Sequence, residues 1–360
     1  MDEENMREPE DAKISDYDSA TGSYSIIKED EGTELQEDKV KEAVATAIMS
    51  LAESVDLEEQ GCYLAPSVTS EDEALKTACE TMNKYVGAKI TYKFGDKAET
   101  LNGNEIHNWL TVNGTSVSVS ESKAAEYVKN LASTCNTAYK PKTLKTSYGK
   151  TVTITTGNYG WKIDQAKETV ALVSLIKNGE QTSREPEYSQ KAANWGNFGN
   201  DYGNTYVEIN LTAQHLYFYA NGKLLVESDF VSGNAAKGWS TPAGAYSITY
   251  KQRNATLKGQ GYATPVSYWM PFNGGIGLHD ANWRKTFGGT IYKNGGSHGC
   301  VNLPPAVAKT IYENISAGDP VLCYHLDGTE SSKTSGTKKD GTAETTAATT
   351  AVPTAAAPET

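Results

Sequence analysis

The chain has 360 residues, 38% of them hydrophobic, enough for about two domains with real cores. Its formal net charge is −12 and basic residues are nowhere concentrated, which argues against a nucleic-acid partner. No segment reaches the roughly 20 apolar residues of a membrane span, and no basic-then-apolar signal peptide opens the chain.

In chain order, the first feature is a repeat. Tyr24–Ile48 (YSIIKEDEGTELQEDKVKEAVATAI) and Val152–Ile176 (VTITTGNYGWKIDQAKETVALVSLI) each read as a short strand, a glycine turn and a helix. Gly32 aligns with Gly160, an offset of 128, and Leu35, Lys39, Ala43 and Ile48 then meet Ile163, Lys167, Ala171 and Ile176. The second copy carries an upstream half, about 67–150, which the first lacks, so the chain is expected to begin inside a repeat and 1–66 to be a partial copy. Within 67–198, Ser70 and Glu73 pattern as a capping box that opens a helix. Its apolar stripe is Leu75, Ala78, Met82, Tyr85 and Val86, and Gly87 ends it. Ile90, Tyr92 and Phe94 alternate as a strand that turns at Gly95-Asp96. A second helix spans about 120–139, with Tyr127, Val128, Leu131 and Cys135 inward. The modules are therefore α+β.

The Gly/Asn-rich stretch 189–203 reads as a linker. Beyond it strands dominate: Val207, Ile209 and Leu211 alternate with Glu208 and Asn210, and Asn221-Gly222 marks a hairpin. Further strands follow over 224–231 and 244–250. Pro304-Pro305 opens a helix with Val307, Ile311 and Ile315 inward, and Val321–Tyr324 closes the domain as a strand. The tail, 326–360, is Thr, Ala, Ser, Lys and Pro from about Gly328; it has too little apolar surface to offset ordering entropy and is expected to be disordered.

Five cysteines are present, none with CxxC spacing, so no metal site is expected. Cys79 and Cys135 read as buried thiols, a disulfide between them being the lesser reading, and Cys323 reads as core. Cys300 differs. It sits in Ser297-His298-Gly299-Cys300-Val301-Asn302, with His279 upstream in Ile276-Gly277-Leu278-His279-Asp280. A thiol needs a nearby imidazole to yield its proton, and glycines let backbone N–H groups approach a substrate carbonyl. Gly295, Gly296 and Gly299 argue against the alternative of a packed structural thiol. Asp280 either tunes the imidazole or is merely solvated. His107, His215 and His325 read as surface or strand residues. Tyr268, Trp269 and Trp283 flank the motif and either line a substrate groove or pack in the core.

These motifs, with Thr241-Pro242-Ala243-Gly244-Ala245-Tyr246 ahead of them, resemble the L,D-transpeptidase catalytic domain (YkuD type) over 204–325. The preceding repeats resemble the peptidoglycan-binding module that accompanies this domain in Gram-positive enzymes. The resemblance implies a mainly-β catalytic domain that remodels peptidoglycan without metal or organic cofactor. Cys300 then matches the nucleophile and His279 the general base and acid. Ser297 matches the residue whose carbonyl steadies that imidazole, His298 a motif neighbour, and Gly299 with Cys300 the oxyanion donors. Many members carry Arg where this chain has Asn302, which puts a carboxylate-gripping role there in doubt. Asn302, Trp283 and Tyr268 remain substrate-contact candidates. The implied partners are wall stem peptides and glycan, with carbapenems as covalent inhibitors, and the implied place is outside the cytoplasm. A carboxypeptidase using the same thioester, and a wall-binding protein without activity, are the rival readings.

Overall fold

The structure is a computed structural model that describes residues 6–113, 116–196, 200–259 and 262–336. It divides into two compact units, one of Met1–Thr134 with Asp164–Glu187, the other of Cys135–Ile163 with Tyr188–Thr360. No described helix is long and apolar enough to cross a membrane.

In the first unit, the Lys89–Phe94 strand buries Ile90, Tyr92 and Phe94 on one face, as its alternation dictates. It pairs with Lys97–Leu101 on one side and, in parallel, with Gln181–Arg184 on the other. The Glu73–Val86 helix is capped by Asp72, whose carboxylate accepts from the Ala74 and Leu75 amides. Ser70 is not the cap: its amide donates to Glu29, because the turn starts two residues later than the Ser-x-x-Glu pattern suggests. Glu121–Cys135 forms the second expected helix. The Gln165–Asn178 helix buries Leu172 and Ile176 completely, each worth about 1.5–3 kcal/mol. Its buried Glu168 accepts from Tyr92 Oη at 2.6 Å, Arg184 Nη1 at 2.7 Å and the Glu187 amide at 2.6 Å, so the acid is satisfied without water.

The repeat holds in three dimensions and reaches further back than its sequence suggests. Ile14 pairs with Ile26 and Lys142 with Ile154, both pairs shifted by the same 128 positions, and Glu37–Met49 corresponds to the helix opening at Gln165. Gly32 and Gly160 both hold positive φ and press against backbone, where a Cβ would not fit. The helices differ in burial. Val44 and Ile48 are 39% and 68% exposed, whereas their counterparts Leu172 and Ile176 are fully buried.

The second unit places Lys223–Asp229, His215–Ala220, Tyr206–Asn210, Pro320–Tyr324 and Gly244–Ser247, in that order, in one sheet. A second sheet runs Gln252–Gly259, Tyr262–Asn273, Ile276–Asp280, Val301–Leu303. Asn221 and Gly222 both adopt positive φ, as the tight hairpin requires. The Pro305–Asn314 helix joins Val207, Ile209, Phe218, Met270, Leu278 and Cys323 in the core between the sheets.

Glu208 and Asn210 are buried too, because the hairpin of Lys142–Lys145 and Thr151–Ile154 belongs to this unit. Leu144, Ile154 and Tyr159 pack there with Tyr202, Leu322 and Tyr324, and Glu208 accepts from Ser147 and from Tyr324 Oη. The stretch 189–203 is no free linker in its described part. Trp195 stacks on Trp161 at 4.4 Å, and Asp201 forms a fully buried ion pair with Lys142 at 2.8 Å. Lys142→Met should strand the Asp201 carboxylate and cost about 3–5 kcal/mol in urea denaturation. The double variant with Asp201→Leu should regain much of that loss, and equal losses in both would refute an electrostatic origin.

Part of the expected disordered tail is ordered. The Leu326 amide donates to Thr212 Oγ1, and Thr334–Gly336 pairs with Thr286–Gly288. Backbone pairing replaces the apolar burial that the composition lacks. The remainder of the tail, 337–360, lies outside the described residues.

Candidate active site

The Ile276–Asp280 strand lies parallel to Val301–Leu303, with Leu278 opposite Val301 and His279 opposite Asn302. Cys300 enters that second strand and His279 lies in the first, so register alone brings the two motifs together. Gly277 lets its strand close on Met270, where a Cβ would sit 2.6 Å from the carbonyl oxygen. Ser297, His298, Cys300 and Asn302 line one cavity of about 240 Å³ with His279, Trp283 and Arg284. Leu257 and Thr264, opposite each other on the Gln252–Gly259/Tyr262–Asn273 hairpin, complete its wall. A roomier cavity of about 480 Å³ in the first unit, lined by Glu29, Glu31, Gly32 and Tyr63 among others, has neither a cysteine nor a histidine in its described lining, so chemistry rather than size selects the smaller one.

The motif loop is held by its own polar groups. Ser297 Oγ donates to the Cys300 carbonyl at 2.6 Å and accepts from the Gly299 amide at 3.0 Å. Gly299 has φ +123°, and a Cβ there would come within 3.1 Å of Ile276. Thr241 Oγ1 donates to the Gly299 carbonyl at 2.6 Å and accepts from Gly233 N–H at 3.0 Å. The Asn234 amide donates to the Ser297 carbonyl at 2.9 Å. His298 stacks on Trp239 at 4.2 Å.

Two expected roles are filled differently. The carbonyl that receives His279 Nδ1–H is that of Asp280, at 2.8 Å, whereas the Ser297 carbonyl is occupied by Asn234. The Gly299 amide is committed to Ser297 Oγ and would have to leave it to meet an oxyanion. Asp280 is not solvated. Its buried carboxylate accepts from the Ser267 and Tyr268 amides, both at 2.8 Å, and so braces the neighbouring strand.

Asn302 is buried under the site. With its carboxamide oriented to satisfy both ends, it donates to His279 Nε2 at 3.1 Å and accepts from Arg284 Nε at 2.8 Å and Nη2 at 3.3 Å. Trp283 reaches the cavity, its ring 5.9 Å from that of His279. Tyr268 does not: it packs in the core against Tyr312 at 5.3 Å. The sequence reading missed Arg284, Asn234 and the Asp280 carbonyl. A backbone carbonyl has no residue signature, and a single arginine outside any motif carries no spacing signal.

Electrostatically the pair rests neutral. Burial pushes the Cys300 thiol up to about 11, against a hydrogen bond from the Gly277 amide that favours the thiolate. Burial also lowers the His279 imidazole below its ordinary value, outweighing the pull of Asp280 toward the charged form. Burial thus favours the neutral thiol. The proton therefore has to move as the sulfur attacks, toward a base that is already unprotonated.

Residues 204–323 match the L,D-transpeptidase catalytic domain (YkuD), and 68–184 match the family described as "Putative peptidoglycan binding domain". No curated protein matches the chain. Among solved structures, the Enterococcus faecium L,D-transpeptidase, as a cysteine-to-serine mutant, is 34% identical over 68% of this chain and 98% of its own, with a TM-score of 0.55. The Ldtfm–avibactam carbamoyl enzyme is likewise 34% identical over 69% of this chain and 98% of its own, also at 0.55.

Proposed function

The chain belongs to the L,D-transpeptidase family and carries that family's peptidoglycan-binding domain, and from this premise we propose that it forms 3→3 cross-links through a thioester on Cys300. The observation that carries this reading is the shared cavity of Cys300 and the neutral, oriented imidazole of His279. Cys300 Sγ attacks the carbonyl of the L-centre of the third, diamino-acid residue of a wall stem peptide. The thiol proton passes to His279 Nε2, which exchanges its Asn302 donor for it, and then on to the leaving nitrogen. The C–N bond to the terminal D-Ala breaks, and a thioester remains. An amine from a neighbouring stem then attacks, gives its proton to His279 and forms the new C–N bond, and the released Cys300 sulfur takes that proton back from the imidazole. A thioester suits this task because it yields to amines faster than to water.

The carbamoylated relative supports a nucleophile of this kind here. The peptidoglycan-binding domain and a substrate in the wall support a place of action outside the cytoplasm. The test is mass spectrometry of products from a purified tetrapeptide muropeptide. Cross-linked dimers with release of D-Ala are expected. Tripeptide alone would make the protein an L,D-carboxypeptidase, and unchanged substrate would leave a wall-binding protein without activity.

A further inference from the structure

Among the described residues that line the Cys300 cavity, Arg284 is the one lysine or arginine and none is an acid, in a chain of net charge −12. It is half-buried, and the acceptors it meets are neutral. Nη2 donates to the Gly295 carbonyl at 2.9 Å, and Nε and Nη2 reach the Asn302 carboxamide oxygen. Among the described residues no carboxylate forms an ion pair with it. The nearby acid in sequence, Asp280, has its carboxylate turned to the Ser267 and Tyr268 amides instead. A guanidinium drawn part-way out of water keeps its charge, since it cannot shed a proton near neutral pH. Burial disfavours that charge, and the two neutral oxygens offset only part of the cost. Such a group is completed by an anion, and Nη1, which those two neutral oxygens leave uncommitted, can give a carboxylate charge-assisted hydrogen bonds.

We propose that Arg284 is the carboxylate anchor of the donor subsite, taking the free C-terminal carboxylate of the residue that Cys300 expels. This rests on the acyl-transfer reading above and adds a specificity to it: donors that end in a free acid are selected over those that end in an amide. Asn302 links the anchor to the chemistry, because one carboxamide touches both Arg284 and His279 Nε2. A donor carboxylate on the guanidinium therefore settles next to the group that holds the imidazole, with the scissile bond in the same 240 Å³ space.

The experiment measures equilibrium binding, so that it does not depend on turnover. N-acetyl-L-lysyl-D-alanine and its C-terminal amide are titrated, by tryptophan fluorescence, into the full chain carrying Cys300→Ala. The acid should bind about tenfold tighter than the amide. Adding Arg284→Gln should erase the difference by weakening the acid alone, and Arg284→Lys, which keeps the charge but not the guanidinium's several donors, should restore part of it. Equal affinity of the parent for acid and amide overturns the proposal. So does a preference that survives Arg284→Gln, or a loss shared equally by both ligands, which is what a purely structural tie between Gly295 and Asn302 would produce. Thioester formation on the wild-type chain is scored separately by intact mass. Acid preference without a thioester leaves the anchor standing and removes acyl transfer; a thioester without acid preference does the reverse.

Discussion

Cys300→Ala should abolish both cross-linking and covalent inhibition while leaving the fold unchanged. Deleting a nucleophile that acts as a unit with its base costs about 10⁴-fold or more. The side chain is half-buried at a cavity wall and donates only over a long 3.6 Å to the Gly275 carbonyl, so little packing is lost. Intact-mass measurement with a carbapenem should show a single adduct on the wild type and none on the variant. The other four cysteines are buried, and Cys323 is pushed far up by burial, so they compete poorly for an electrophile. An adduct that persists in the variant would move the chemistry elsewhere.

His279→Ala should lower acyl transfer by about 10²–10⁴-fold, the usual worth of a general base. The pH profile tests the role more sharply. The base works unprotonated, and burial lowers its pKa, so the neutral form persists to lower pH than an ordinary histidine would allow. The acid limb of kcat/KM should therefore fall below about pH 6.5. The thiol's own iodoacetamide reactivity should rise only on the alkaline side, toward about 11. The His279→Ala variant should lose the acid limb, whereas His298→Ala should keep it, since His298 stacks on Trp239 beside the loop. An acid limb that follows His298 instead would exchange the two assignments.

What could be read from residue order was whatever depends on periodicity or on a local turn. Ile90, Tyr92 and Phe94 alternate and are buried together, Asn221-Gly222 turns with two positive φ values, and Pro305 opens its helix. The pairing of His279 with Asn302 follows from motifs on adjacent parallel strands, an adjacency that residue order does not carry. Long-range and backbone partners stayed hidden. Nothing local to Glu208 announces that Ser147 and Tyr324 will satisfy it, so its burial could not be foreseen. Tyr268 and Trp283 looked equivalent because both are aromatics near the motif. Strand direction sends the first inward, and the turn after Asp280 leaves the second at the cavity.

The crossing of the chain between its two units has a consequence for the order of synthesis. The first unit needs Gln181–Arg184 as a strand beside Lys89–Phe94, so it is incomplete until Glu187 has left the ribosome. By then the Lys142–Ile154 hairpin has already emerged, with Leu144, Ile154 and Tyr159 belonging to a sheet not yet made. At about 5–20 residues per second, those apolar groups wait roughly 10–30 s before Tyr324 closes the second unit. Nascent chains are therefore most exposed to aggregation between these two moments, and a factor that shelters them then would act on the hairpin rather than on either finished unit.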